Sequence, residues 1–168
     1  MPAYSELYVD DARLALGSML ESAVYLFGVE LQFFWRLFLA SHVSDDFGHG
    51  LSGTVSGKSG WELAAEILDD ARVTFTREKP KGVIGRSREF WAGWALAQYQ
   101  WRSGLSFVAI EKFAPLKDVV LMYSPYHEME FDQFFDALEV WRKERVTHCG
   151  GTMGSDPIPQ CSPIDHNG

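Results

Sequence analysis

Cysteine is nearly absent from this chain, with two, Cys149 and Cys161, in 168 residues. That excludes a disulfide framework and makes a reducing cytoplasm the expected compartment. Long hydrophobic runs are also missing. The most apolar stretch, Ser22 to Val43, is interrupted by Gly28, Glu30, Gln32 and Arg36. A membrane span needs about 20 mostly uncharged residues, so a membrane role is not expected. Near the start, Glu6, Asp10 and Asp11 come before any basic residue, which is not the pattern of a secretory signal. Positive charge is scarce too. Fifteen Lys and Arg oppose 23 Asp and Glu, for a net charge of −8, and this argues against a general nucleic-acid binder.

What is present is apolar area. Hydrophobic residues make up 46% of the chain and aromatic residues 14%, enough to build a core and to exclude whole-chain disorder. Residues 1–146 read as a single helical domain. Residues 147–168 carry four glycines and three prolines with no apolar period, and are expected to be a flexible tail. The fold class expected is all-α or nearly so, a compact bundle of about six helices.

The helical spacing predicts a first helix over about Tyr8 to Phe27, with Ala12, Leu16, Met19, Ala23 and Phe27 on one face. A second, about Glu30 to His42, is apolar nearly all round. Ser59-Gly60-Trp61-Glu62 reads as a capping box that opens a third helix to about Ala71. Val73 to Phe75, with a turn at Pro80 and Gly82, suggests a small β-hairpin near 73–85. Ser87 caps a helix that Gly104 ends. Its aromatic stripe, Phe90, Trp94, Ala97 and Trp101, is the expected core face, while Ala92, Gly93 and Ala95 are small enough for close helix approach. Shorter helices follow from Ser106 and Pro115, and the Ser124-Pro125 step should end the second of them. A last helix is expected over about Glu128 to Arg145.

Motifs that carry chemistry are few. Gly53 to Ser59 resembles a phosphate-binding loop, but Ser52 stands where the first glycine belongs and no strand precedes it. A Gly-Lys-Ser at a helix start remains, with Lys58 as a candidate anion contact. His42, Asp45, Asp46 and His49 match no defined metal spacing, and neither do His148, Cys149, Cys161 and His166. His127-Glu128 has Phe131 where a zinc motif needs histidine. No catalytic residue, metal or cofactor is expected.

One stretch departs from the acidic balance. Arg72, Arg77, Lys79, Lys81, Arg86 and Arg88 face a single acid, Glu78, for a local charge of +5. With Lys58, the residues Arg77, Lys79, Lys81, Arg86 and Arg88 are the candidate anion-binding set, and an anion- or nucleotide-ligand-binding protein is one alternative reading. A helix-turn-helix-like DNA-binding regulator is another, from the two helices around Ala114-Pro115. Its second helix offers only Lys117 for reading DNA.

Several segments together resemble an uncharacterised family of small acidic helical bacterial proteins. They are Leu7 to Ala12, Phe38 to Ser41 through Phe47-Gly48, Gly57 to Ala64, Phe90 to Trp101, and Met122 to Glu128. The resemblance spans roughly residues 5–142. It implies a gene neighbourhood with ADP-ribosyltransferase-like proteins, in arrangements of the toxin–antitoxin type. It supplies no activity and no catalytic residues. The function expected is therefore a non-enzymatic protein-binding module, in the role of antitoxin or accessory component, with an ADP-ribosyltransferase-like toxin as its implied partner. An acidic surface suits a basic partner. Phe33, Phe34, Trp35 and Phe38 cannot all face one way on a short helix, so the more exposed of Phe34 and Trp35 is the candidate partner-binding anchor.

Overall fold

The computed structural model describes residues 1–76 and 87–149, with side chains as far as Arg145. After a 3-10 turn at Glu6–Tyr8, the described residues form α1 (Val9–Tyr25), α2 (Leu31–Ala40), α3 (His42–Gly48), α4 (Ser52–Val55), α5 (Gly60–Asp70), α6 (Arg88–Ser103), α7 (Phe107–Phe113), α8 (Leu116–Leu121), α9 (Tyr123–Tyr126) and α10 (Phe131–Cys149). No strand occurs among the described residues. The chain is all-α, with α3, α4 and α9 as short helices beyond those the periodicity predicts.

Local chemistry sets the helix ends. The Ser59 hydroxyl accepts from the Glu62 amide at 3.4 Å, and the Glu62 carboxylate accepts from the Ser59 amide at 2.8 Å, so the capping box forms. Ser87 Oγ accepts from the Phe90 amide at 3.0 Å, and Gly104, at φ 69°, closes α6 in the left-handed conformation. Glu30, at the expected start of the second helix, does not begin it. It is instead the cap of α2, accepting from the amides of Gln32 and Phe33 at 2.8 and 2.7 Å.

Helix α1 is the spine, packed along α6 on one side and α5 on the other. Ala12, Leu16, Met19, Ala23 and Phe27 are all buried, on the face the spacing predicts. The crossing with α6 is made by two glycines. A Cβ on Gly93 would lie 2.7 Å from the Leu16 carbonyl oxygen, and one on Gly17 would lie 2.8 Å from that of Phe90. This crossing turns α6 away from the expected orientation. Ala92, Gly93, Ala95, Leu96, Ala97 and Tyr99 face inward, whereas Phe90, Trp94 and Trp101 are only partly buried. Small side chains take the position of closest approach because bulky ones cannot fit between two backbones that near, and the rings move to the flanks.

Two other expectations change. Val73 to Thr76 is not a strand: the Val73 amide bonds back to Leu68, and Phe75 packs edge-on against Phe27 at 4.8 Å. The rest of the proposed hairpin lies outside the described residues. Helix α10 starts at Phe131 rather than Glu128 and continues to Cys149, so residues 147–149 of the expected tail are helical. Residues 150–168 lie outside the described residues.

Candidate functional site

The aromatic rings that α6 holds on its flank meet those of the chain's last third. From the first turns of α6 come Ser87, Phe90, Trp91, Trp94 and Ala95. From α9 and the turn after it come Tyr123, Tyr126, His127 and Met129, and from α10 come Phe131 and Phe134. Together they line a cleft of about 350 Å³. The walls stand nearly at right angles. Trp91 meets Tyr123 at 5.9 Å and 76°, and Phe134 at 5.4 Å and 77°, while Trp94 meets Phe131 at 6.4 Å and 76°. Edge-to-face contacts of this kind fix ring orientation. Tyr123 is further held by His127, which stacks on it at 4.4 Å while its Nδ1 donates to the Tyr123 carbonyl oxygen at 2.9 Å.

Polar satisfaction separates this cleft from the core. The indole N–H of Trp35 donates to Glu111 at 2.7 Å and that of Trp101 to the Tyr4 carbonyl oxygen at 2.8 Å. Those of Trp91 and Trp94 have no protein acceptor among the described residues. The rim at the α10 end carries exposed Glu128 and Glu130 on either side of Met129, itself 47% exposed.

Charge also stands behind the lining. The Arg13 guanidinium lies 3.6 Å from the Trp94 ring centroid and pairs with Asp10 at 3.0 Å, while its Nε is buried with no hydrogen-bond partner among the described residues. Burial lowers its pKa from the ordinary value, with Asp10 opposing. At the Ser87 end two buried carboxylates meet the start of α6. Glu21 accepts from the Ser87 amide at 3.2 Å, and Glu89 accepts from the Tyr25 hydroxyl at 3.1 Å and from Arg88 at 3.3 Å.

The lining residues assemble binding chemistry, not a nucleophile with its base. Ser87 Oγ is engaged as a helix cap, the His127 Nδ1 is engaged by main chain, and no hydrogen bond joins the two residues. What the cleft can do is hold a ring between perpendicular aromatic walls.

The residues singled out from sequence fall elsewhere. Phe34 and Trp35 are both buried, at 0% and 2% exposure, so neither is an accessible anchor. They close against α7 and α8, Trp35 through Phe107 and Glu111, and the exposed ring of α2 is Phe33. Lys58 is paired with Glu66 at 2.5 Å, and His42 approaches the same carboxylate at 3.3 Å. At the start of α5 the capping box takes up the Ser59 and Glu62 amides. Arg88 is paired with Glu89, while Arg77, Lys79, Lys81 and Arg86 lie outside the described residues. The side chains of the 42–49 stretch go to separate partners, with His42 turned to Glu66 and Asp70 and Asp46 accepting from Thr54. In the proposed helix-turn-helix, α8 buries Leu116, Val119 and Val120.

The sequence reading missed Trp91, Tyr123, Tyr126, His127 and Met129 as site residues. The available signal was the density of rings in 123–134 beside a second tryptophan one position off the α6 stripe. No helix among the described residues is long and apolar enough to cross a membrane. Compared with protein-family models, curated proteins and solved structures, the chain matches none.

Proposed function

We propose that this chain is a non-enzymatic protein-binding module, and that the Trp91–Trp94 cleft is where a segment of its partner inserts. One observation carries the reading: a formed, aromatic-walled cleft lined by two tryptophans, on a chain whose other rings are largely packed. Interface anchors are enriched in tryptophan and tyrosine because these rings supply large contact area with few rotatable bonds. The acidic rim at Glu128 and Glu130 suits a partner with basic residues flanking an apolar anchor. Neutralising a toxin-type partner, the role implied by the family resemblance, is one form such binding would take.

The deciding experiment is to identify the protein that co-purifies with the tagged full chain and to measure its affinity for three forms. Tyr126→Ala removes a cleft wall, and Trp61→Ala removes an exposed ring on α5, remote in sequence from the cleft. The expected result is a loss of about tenfold or more, about 1.4 kcal/mol, for Tyr126→Ala and near-parental affinity for Trp61→Ala. Equal affinity of the parent and Tyr126→Ala would remove the cleft from the interface.

A further inference from the structure

The chemistry behind the cleft narrows what it accepts. We propose that the group seated there is a neutral aromatic side chain of the partner, and that Arg13 sets this preference by occupying one face of Trp94. The inference rests on the cleft being the docking site and goes further by naming the class of group bound.

Size is the first constraint. At about 350 Å³ the cleft lies near the lower end of ligand pockets, which run from roughly 300 to 1,000 Å³. It has room for one ring system and the backbone beside it, not for a dinucleotide or an extended cofactor. Shape is the second. Perpendicular pairs such as Trp91–Tyr123 and Trp94–Phe131 present both ring edges and ring faces, which a further ring meets in edge-to-face or offset geometry.

Charge decides between an aromatic group and a cation. Aromatic walls beside an acidic rim would ordinarily recruit lysine, arginine or a quaternary ammonium. Here the guanidinium of Arg13 already lies 3.6 Å over Trp94 without itself lining the cleft. A cation on one face of an indole draws on the same quadrupole that a second cation would need, and the two charges repel across the ring. An anion is disfavoured at the other end, where the carboxylates of Glu21 and Glu89 are buried behind Ser87 and, among the described residues, Arg88 answers only that of Glu89. Glu21 Oε2 has no hydrogen-bond partner among the described residues. A neutral ring avoids both penalties. The indole N–H groups of Trp91 and Trp94, which have no protein acceptor among the described residues, suit a ring that brings an acceptor, and a tyrosine hydroxyl provides one.

The test uses the full chain labelled with nitrogen-15 and follows the indole N–H signals of Trp91 and Trp94. N-acetyl-tyrosinamide and N-acetyl-lysinamide are titrated separately to about 10 mM, a range that detects binding weaker than millimolar. The expected result is a saturable shift of both indole signals with the tyrosine probe and none with the lysine probe. Arg13→Met should raise the response to lysinamide relative to tyrosinamide; an unchanged ratio in the folded variant would overturn the role of Arg13. Should that variant not fold, the two-probe comparison on the parent chain still decides the preference. A response to lysinamide equal to or larger than that to tyrosinamide overturns the neutral-ring assignment while leaving the cleft as a docking site. No response to either probe overturns both.

Discussion

Around Trp35, the rings of Phe38, Phe47 and Phe107 meet at centroid distances between 4.9 and 6.3 Å, and all four residues are 0–2% exposed. Around Trp91, the rings of Tyr123, Phe134 and their neighbours meet at similar distances but leave a cleft among them. The two clusters draw on the same residue types, so hydrophobicity does not explain why one is closed and the other open. Polar satisfaction distinguishes them. The Trp35 indole N–H has Glu111 as its acceptor, and the same carboxylate oxygen takes the Leu116 amide at 3.0 Å. Burying that indole is therefore tolerable, because a buried donor costs free energy only when unpaired. Trp91 and Trp94 carry indole donors with no protein acceptor among the described residues, and both rings line the cleft.

The largest expected effect tests the closed side. Trp35→Ala should destabilise the chain by about 3–5 kcal/mol, since a fully buried ring leaves a cavity its neighbours cannot fill. Trp91→Ala, at a half-buried position beside an existing cleft, should cost clearly less. Denaturant titration of both variants measures the difference, and equal losses would erase the distinction between the clusters.

Next comes the carboxylate that allows closure. Glu111→Ala strands two donors, the Trp35 indole and the Leu116 amide, and should cost about 1–3 kcal/mol. Glu111→Gln keeps an acceptor and should recover part of that loss. Thermal melts of the pair decide it. If both variants melt with the parent, the indole bond is not what permits burial.

Much of the fold is legible in sequence where the cause is local. The Ser59–Glu62 box, the Ser87 cap, the Gly104 stop and the inward face of α1 each follow from residues within a turn or two of one another. The orientation of α6 is not local, because it depends on Gly17 of another helix meeting Gly93. Likewise Phe34 and Trp35 look like surface anchors until Phe107 and Glu111, some 70 residues on, arrive to cover them. The cleft is the least legible feature. It is assembled from the start of α6, from α9 and from α10, and no period within any one of these announces it.

Alkaline pH probes closure through a different group. The Tyr4 hydroxyl is buried without a hydrogen-bond partner among the described residues, and desolvation pushes its pKa up from 10.0 to about 12. Tyr99, whose hydroxyl donates to Glu139, shifts in the same direction, by burial first and by that carboxylate second. A raised folded-state pKa means the unfolded chain releases the phenolic proton first. The contribution is fully present below about pH 10 and declines as pH rises towards 12. Stability measured against pH should fall through that window, and Tyr4→Phe should flatten the fall. A curve unchanged by Tyr4→Phe would show that this phenol is solvated in the folded state.

The smallest expected effect is the most diagnostic of the open side. Met129 lies on the cleft's lip, 47% exposed, and its main-chain amide bond to the Tyr126 carbonyl oxygen does not involve the side chain. Replacing an exposed side chain away from packed or capped positions changes stability by about 0.5 kcal/mol or less. Met129→Ser should therefore leave the melting curve almost unmoved. The same change removes a polarisable thioether that can contact a ring's edge, so it should weaken the response of Trp91 and Trp94 to N-acetyl-tyrosinamide. In a core, stability and contact are lost together, as expected for Trp35→Ala. At a binding cleft the two separate, because the side chain's partner is absent until the ligand arrives. A Met129→Ser variant that melts lower and binds unchanged would place Met129 with the core and outside the binding site.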